Sequence, residues 1–169
     1  PRGDPAQGGP PGGEGRGAAM TTGGPRVRQV GVDLQDSEES RALVEAIEHL
    51  ELSRLSVITP YHAPLTERLH AFLNEAGTEV VRSDHLGLGG GIWKVNYRTI
   101  AERIIAADDP RSEAIFVSCT NLPTYDVIAP LEQELGKPVL TANQLTIWAC
   151  LGRMKLPMTG PGKWLRNVF

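Results

Sequence analysis

Short apolar runs alternate with amphipathic segments along residues 37–154, and this alternation constrains the fold more than any other feature of the sequence. Apolar, β-rich runs predict strands, and apolar residues at helical spacing predict helices. The predicted strands are residues 54–59, 78–83, 114–118 and 138–142, and the predicted helices are residues 37–52, 64–77, 96–108, 124–136 and 143–154. We therefore predict an α/β fold with a four-stranded parallel sheet flanked by helices, in the flavodoxin-like strand order 2-1-3-4.

The predicted helices carry several detailed expectations. Ser37 or Ser40 is the candidate N-cap of the first helix. Ile104 and Ile105 are expected to face inward from the third helix. Pro130 should bend or restart the fourth helix, because proline removes a backbone hydrogen bond.

The chain divides into a tail and a domain. Residues 1–36 form a Gly/Pro-rich tail and linker that we expect to be disordered, and residues 37–169 form the α/β domain. The sequence leaves open whether the tail is a native linker, a tag or an over-extended reading frame with Met20 as the true start.

Composition excludes several classes of partner. The net charge of -3 and pI near 5.8 provide no basic stripe, so we expect no nucleic-acid partner. We find neither a signal-peptide pattern nor an apolar stretch of membrane-helix length, so we expect no membrane partner. The two cysteines lie in patterns typical of the interior of an intracellular domain, which favours a reducing, cytoplasmic location.

Polar residues follow three of the predicted strands. They are the turns Thr-Pro-Tyr-His at residues 59–62, Ser-Cys-Thr-Asn at 118–121 and Thr-Ala-Asn-Gln at 141–144. Ligands bind parallel sheets outside the carboxyl ends of the strands. We expect the three turns to converge on one rim.

The two cysteines have different predicted roles. Cys119 follows a buried strand, where a cysteine can be a small hydrophobe. It also precedes a predicted helix, whose free amides and dipole favour a thiolate that acts on a carboxylate substrate. Cys150 lies between Trp148 and Leu151 and is predicted to be core packing. Cys119 should therefore alkylate much faster than Cys150.

Other candidates are less specific. Tyr61 can cap the core or bind a ligand, and Asn143 can be an N-cap or a ligand contact, with the N-cap preferred. The Gly-rich segment 87–91 lacks a complete phosphate-loop pattern and is predicted to be a flexible loop. The four histidines show no metal-ligand spacing, so we expect no metal.

Residues 57–81, 86–91 and 116–149 together resemble the aspartate/glutamate racemase superfamily, and most closely its maleate cis–trans isomerase and arylmalonate decarboxylase branch. The resemblance extends from about residue 37 to the end of the chain. That family is built from two similar α/β halves around a cleft, each usually supplying one cysteine in racemases and maleate isomerases. The resemblance implies that this chain is the C-terminal half of such a fold.

The resemblance also implies roles for individual residues. Cys119 matches the catalytic cysteine of the second half, and Tyr61 matches the tyrosine that binds a substrate carboxylate. Thr59 and Pro60 share the turn of Tyr61 and are expected to bind substrate with it. Thr120 and Asn121 match positions of the family whose backbone amides face the substrate cleft. The chain departs from the pattern of the family in two ways. The first half of the fold is missing, and the Gly-rich segment has a glycine, at about Gly91, where the isomerases carry asparagine.

Three functions follow from the resemblance. The first is an isomerase-like enzyme that uses a thiol on a small dicarboxylate, with no cofactor. The second is a decarboxylase or amino-acid racemase of the same superfamily, and a cysteine in the missing half would distinguish the two. The third is a truncated, non-catalytic remnant. On the closing helix, Ile147, Trp148 and Leu151 are expected to be left uncovered in this shorter chain, which favours a homo-oligomer.

Overall fold

The order of strands and helices follows the alternation of the sequence. The computed structural model describes residues 37–165, so the predicted disorder of residues 1–36 lies outside the described residues. The strands are β1 (Arg54–Thr59), β2 (Glu79–His85), β3 (Ala114–Val117) and β4 (Val139–Thr141). The helices are α1 (Glu38–His49), α2 (Ala63–Glu75), α3 (Tyr97–Ala106), α4 (Tyr125–Leu135) and α5 (Ala142–Arg153).

The four strands form one parallel sheet in the order β2-β1-β3-β4, which confirms the predicted fold class and strand order. In the two central strands Val57 of β1 lies opposite Phe116 of β3, and Phe116 lies opposite Leu140 of β4. Because the strands are parallel, their carboxyl ends lie at one edge of the sheet. Helix α1 leads through a short turn into β1, so the first turn of α1 lies at that same edge.

Apolar side chains fill both faces of the sheet, because successive strand residues point to opposite sides. On one face Val57 and Phe116 pack with α1, α2 and α5. On the other face Ile58 and Val117 pack with α3 and α4. All of β3 is buried, as expected for a strand covered on both faces.

Two of the helix predictions are decided by single residues. The N-cap of α1 is Ser37, whose side-chain oxygen accepts a hydrogen bond of 3.1 Å from the Ser40 amide. In α3, Ile100 and Ile104 are buried, but Ile105 is 42% exposed, so the inward prediction for Ile105 is wrong. Residues four apart share a helix face, whereas the next residue is rotated by about 100°.

Helix α4 continues through Pro130 from Tyr125 to Leu135, so the predicted restart does not occur. Pro130 lies on the exposed side of the helix, and so does Asp126, the residue four positions earlier. The carbonyl that Pro130 leaves without its helical partner is therefore on the water-facing side, where solvent can satisfy it.

Helix α5 buries a different stripe from the one predicted. Its buried residues include Leu145, Trp148 and Ala149, and the Trp148 ring lies 5.7 Å from the ring of His49 on α1. Trp148 is therefore covered, contrary to prediction, and Cys150 is exposed although it was predicted to be core packing. The stripe follows the i, i+3, i+4 spacing from Leu145, which turns the position of Cys150 to the solvent.

Of the uncovered face predicted on α5, Ile147 is 53% exposed and Leu151 is partly buried. Self-association through this face stays a prediction. Within residues 37–165, no helix combines the length and apolar character that a membrane crossing requires.

Candidate active site

The turns after β1 and β3 meet at the carboxyl edge of the sheet. The Ser118 amide donates a hydrogen bond of 2.9 Å to the Ile58 carbonyl, which extends the pairing of the two strands to their ends. The backbone leaves the sheet one or two residues after each of these positions. This register brings Cys119 and Tyr61 together, as the sequence predicts for strand-end residues.

Cys119 is held in an unusual backbone conformation. Its φ angle is +90°, in the left-handed region that favours glycine, and its side chain is only 8% exposed. The other non-glycine residues with positive φ in the described part of the chain are Glu51 and Lys155, which are both exposed. Such a conformation costs of order 1–3 kcal/mol and clusters at functional sites. Cys119 is thus a buried residue whose conformation the surrounding turn imposes.

The Tyr61 hydroxyl lies beside the thiol. Burial raises the pKa of Tyr61 well above its usual value, and a hydrogen bond to Cys119 raises it further. A hydrogen bond from the Ser118 hydroxyl lowers the same pKa by a smaller amount. Tyr61 therefore stays protonated at neutral pH, and its hydroxyl can donate to the thiol or to a bound anion.

Cys119, Tyr61 and Ser118 form a cluster with a carboxylate from α1, that of Glu39. The sequence analysis did not predict this carboxylate. Burial raises the pKa of Glu39, and a hydrogen-bonding contact with the Cys119 amide opposes that rise. The charge of Glu39 also contributes to the raised pKa of Tyr61. The signal was available in the topology, since the first turn of a helix that leads into β1 must lie at the carboxyl edge.

Thr59 and Pro60 hold the Tyr61 turn in place. Thr59 is fully buried, and its hydroxyl shares a 2.6 Å hydrogen bond with the hydroxyl of Thr66. The carbonyls of Thr59, Pro60 and Tyr61 accept hydrogen bonds from the amides of residues 86, 88 and 87. The polar atoms of Thr59 and Pro60 are thus used within the protein, and the Gly-rich segment is fastened at its start to the Tyr61 turn.

Thr120 and Asn121 form the exposed part of the Cys119 turn. The Thr120 carbonyl accepts a 2.8 Å hydrogen bond from Asn143 Nδ2, so the Asn143 side chain supports this turn. The N-cap of α5 is Thr141, whose hydroxyl accepts from the Gln144 amide at 3.4 Å, and the N-cap prediction for Asn143 is wrong.

Helix α4 begins at Tyr125, within one residue of its predicted start at Thr124. Five residues separate Tyr125 from Cys119. The effect of a helix dipole falls off within the first turn. Tyr61, Ser118 and Glu39 interact with one another or with Cys119 at this turn. The dipole of α4 therefore favours a thiolate at Cys119 less than the sequence suggested.

A pocket of about 310 Å³ lies beside this cluster. It is bounded by Tyr125 and Ile128 of α4, Asn143 and Ile147 of α5 and the segment 158–161. Cys119 and Tyr61 are not among its lining residues, so its apolar walls flank the thiol site without enclosing it. Within residues 37–165, no three histidine, cysteine, aspartate or glutamate side chains come together as metal ligands.

Residues 16–164 match the family described as arylmalonate decarboxylase. The matched range contains residues 37–164 of the described domain and the turns that carry Tyr61 and Cys119. The chain belongs to this family. Solved structures of a maleate isomerase and of arylmalonate decarboxylase resemble the fold of this chain, with TM-scores of 0.71 and 0.67.

The similarity to characterised relatives is distant but covers most of this chain. The maleate isomerase of Alcaligenes faecalis is 27% identical over 138 residues, which are 80% of this chain and 54% of that protein. The arylmalonate decarboxylase of Bordetella bronchiseptica is 28% identical over 137 residues, 79% of this chain and 57% of that protein. This chain spans about half the length of the relatives it matches.

The fold of this chain is also similar to that of a solved maleate isomerase structure. A variant of the maleate isomerase Iso from Pseudomonas putida, crystallised with maleate, matches this chain with a TM-score of 0.71 and 27% identity. The match covers 75% of this chain and 53% of that chain. The likeness confirms the resemblance predicted from the motifs around Tyr61 and Cys119.

Proposed function

We propose that this chain carries the thiol-bearing half of a cofactor-independent, cytoplasmic enzyme that isomerises a small unsaturated dicarboxylate of the maleate type. The observation that carries the proposal is the buried, conformationally constrained Cys119 beside the protonated Tyr61 hydroxyl. The similarity to maleate isomerases supports the same substrate class.

Binding would use donors from both turns. The Tyr61 hydroxyl can donate to one substrate carboxylate, and the amides of Thr120 and Asn121 lie on the exposed side of the thiol turn. Hydrogen bonds to an ionised acceptor are stronger than those between neutral groups. A carboxylate held between the two turns would bring its adjacent double-bonded carbon next to the Cys119 sulfur.

The chemical step is an addition followed by an elimination. The Cys119 thiolate forms a bond to one carbon of the double bond, and the displaced electron pair moves to the neighbouring carbon. That carbon takes up a proton from a general acid on the other half of the fold, which later takes the proton back. The bond between the two carbons is now single and rotates. Loss of that proton and departure of the thiolate restore the double bond in the trans configuration.

Decarboxylation is a second candidate, supported by the match to the arylmalonate decarboxylase family and by the similarity to the arylmalonate decarboxylase of Bordetella bronchiseptica. Cys119 is the thiol that this chain would contribute to either reaction, because Cys150 is on the exposed face of α5. A decarboxylase needs a single thiol, since carbon dioxide leaves with its bonding electrons left on the substrate and the thiol protonates the resulting carbanion. A ligand carrying both carboxylates on one carbon distinguishes the two candidates.

The test is protection of Cys119 from iodoacetamide in a Cys150→Ser background, read by peptide mass spectrometry. Removing Cys150 keeps that exposed thiol from consuming the reagent. In a protein that retains it, its separate peptide reports labelling away from the site. We expect maleate to slow alkylation of Cys119 and to do so at lower concentration than phenylmalonate. Tighter protection by phenylmalonate would favour the decarboxylase, and no protection by either would contradict both functions.

Turnover is a separate readout. Proton NMR follows conversion of maleate to fumarate directly, and Cys119→Ser is the control for a thiol-dependent reaction. We expect slow conversion from this chain alone, because the relatives are about twice as long and a misplacement of about 1 Å can cost on the order of a hundredfold. Conversion that persists in Cys119→Ser would remove the proposed role of the thiol.

A further inference from the structure

The pocket between α4 and α5 has an uncharged lining. No acidic, basic or histidine side chain is among the described residues that bound it. Buried residues such as Ile128 and Gln144 line it, and so do the exposed side chains of Tyr125 and Ile147. Exposed apolar side chains grouped at a concave surface are typical of a ligand site. An anion would find no compensating charge here, so the pocket suits a neutral ligand.

Gln144 contributes a hydrogen-bond acceptor without a donor to this pocket. Its side chain is 5% exposed, and its Nε2 donates a hydrogen bond of 3.0 Å to the Pro161 carbonyl. A carbonyl can only accept, so this bond fixes which end of the amide is Nε2. Within residues 37–165, no group donates to the buried Oε1. Buried polar atoms nearly always have a partner, so the unpartnered Oε1 indicates a donor that a ligand would supply.

The segment behind Gln144 holds its amide in place. Gly162 follows Pro161 with φ at +87°, and a Cβ at Gly162 would lie 2.9 Å from Gln144 Nε2. The next residue, Lys163, donates its backbone amide to Glu132 Oε2 at 2.6 Å, which fastens the segment to α4. The acceptor therefore belongs to a fixed part of the pocket wall.

The volume of the pocket limits the size of the ligand. It measures about 310 Å³, whereas an apolar cavity of about 150 Å³ is already large enough to bind benzene. One ring with a short substituent therefore fits. The aromatic side chains of Tyr97 and Tyr125 and the apolar side chains of Ile128 and Met158 are available to contact such a ring.

We propose that this pocket is a second binding site for a small neutral ligand, with one apolar ring and one hydroxyl or N–H group that donates to Gln144 Oε1. Cys119 and Tyr61 do not line the pocket, so the site is separate from the proposed thiol chemistry. The ring is recognised by burial against apolar side chains, and the donor is recognised by the unpartnered acceptor.

The experiment compares phenol with toluene, which has nearly the same shape but no donor. Each is titrated into isotope-labelled protein, and two-dimensional proton–nitrogen NMR follows the backbone amides and the side-chain amide of Gln144. We expect phenol to bind about threefold to tenfold more tightly than toluene, because its hydroxyl satisfies the buried acceptor. The largest shifts should lie at the residues of the pocket.

Three variants separate recognition of the donor from the shape of the pocket. Gln144→Met keeps the length of the side chain and removes Oε1, so phenol and toluene should bind it equally. Ile147→Trp narrows the pocket from an exposed position and should weaken both ligands, even if Gln144→Met fails to fold. Met154→Trp is the matched control, because Met154 is equally exposed on the surface but does not line the pocket.

Equal affinity for phenol and toluene in the parent would overturn the inference. Oε1 would then be satisfied within the protein, for example by the Trp148 indole, whose Nε1 also lacks a partner among residues 37–165. Shifts centred on the Cys119 turn, no binding of either ligand, or a preference for phenol that survives in Gln144→Met would overturn it as well. The proposed function stands in each case, since protection of Cys119 by maleate tests it separately.

Discussion

The surroundings of the two cysteines differ in every respect that controls thiol chemistry. Cys119 is buried at the end of a central strand, with φ at +90° and with Tyr61, Ser118 and Glu39 around it. Cys150 is exposed in the middle of a regular helix. Accessibility favours alkylation of Cys150, whereas the neighbouring polar groups favour chemistry at Cys119. The labelling rate alone therefore does not identify a site thiol, and the prediction that Cys119 alkylates faster than Cys150 does not follow from the structure. Protection from labelling by a ligand is the better test.

The largest difference we expect between the two regions is in stability. Phe116 lies in the strand that leads to Cys119 and is 1% exposed, so Phe116→Ala should lower the free energy of unfolding by about 3–5 kcal/mol through lost burial and a cavity. Ile147 lies on the outer face of the helix that carries Cys150, and Ile147→Ala should change it by less than about 0.5 kcal/mol. Urea unfolding followed by circular dichroism measures both. Similar losses in the two variants would mean that the outer face of α5 is covered.

The next effect concerns the contact between Tyr61 and Cys119. Tyr61→Phe removes a donor to a bound carboxylate, so the maleate concentration needed for half protection of Cys119 should rise about tenfold, as expected for a hydrogen bond to a charged group. Labelling of Cys150 should not change in the same protein, which makes it an internal control. Tyr125→Phe is the matched variant, because Tyr125 is 64% exposed at the start of α4. An unchanged protection curve in Tyr61→Phe would place the carboxylate elsewhere.

The sequence predicts the sheet and the meeting of Tyr61 with Cys119 because both depend on patterns along the chain. Buried runs such as β3 have a strong apolar signal, and parallel strands must end at one edge. The exposure of Cys150 could not be read in the same way. Helix α5 is apolar on more than one side, and only its packing against α1 decides which stripe is buried.

Side-chain partners across the chain were also beyond the sequence patterns. Asn143 begins a predicted helix, where an N-cap is the ordinary role of asparagine, but the hydroxyl of Thr141 supplies that cap and leaves the amide free to reach Thr120. Glu39 has the sequence context of a first-turn glutamate that favours the helix dipole. Its approach to Cys119 depends on the three-dimensional placement of α1 beside the end of β3.

A smaller effect with opposite signs separates the backbones of the two cysteines. At the positive φ of Cys119, glycine should be more stable than alanine by about 1 kcal/mol, because it has no Cβ to strain. At Cys150 the order reverses, and glycine should be less stable than alanine by about 1 kcal/mol in the helix interior. The four variants are compared by urea unfolding. The same sign at both positions would contradict the left-handed conformation of Cys119.

An effect of similar size tests the link between the two regions, because Asn143 on the helix of Cys150 supports the turn of Cys119. Asn143→Ala removes the 2.8 Å hydrogen bond to the Thr120 carbonyl and should cost about 0.5–1.5 kcal/mol of unfolding free energy. Asn121→Ala, in the exposed part of the same turn, should cost less than about 0.5 kcal/mol. If the amide positions the turn, Asn143→Ala should also weaken protection of Cys119 by maleate, whereas a purely stabilising contact would leave that protection unchanged in the folded protein. Equal stability of the two variants would mean that the turn holds its shape without α5.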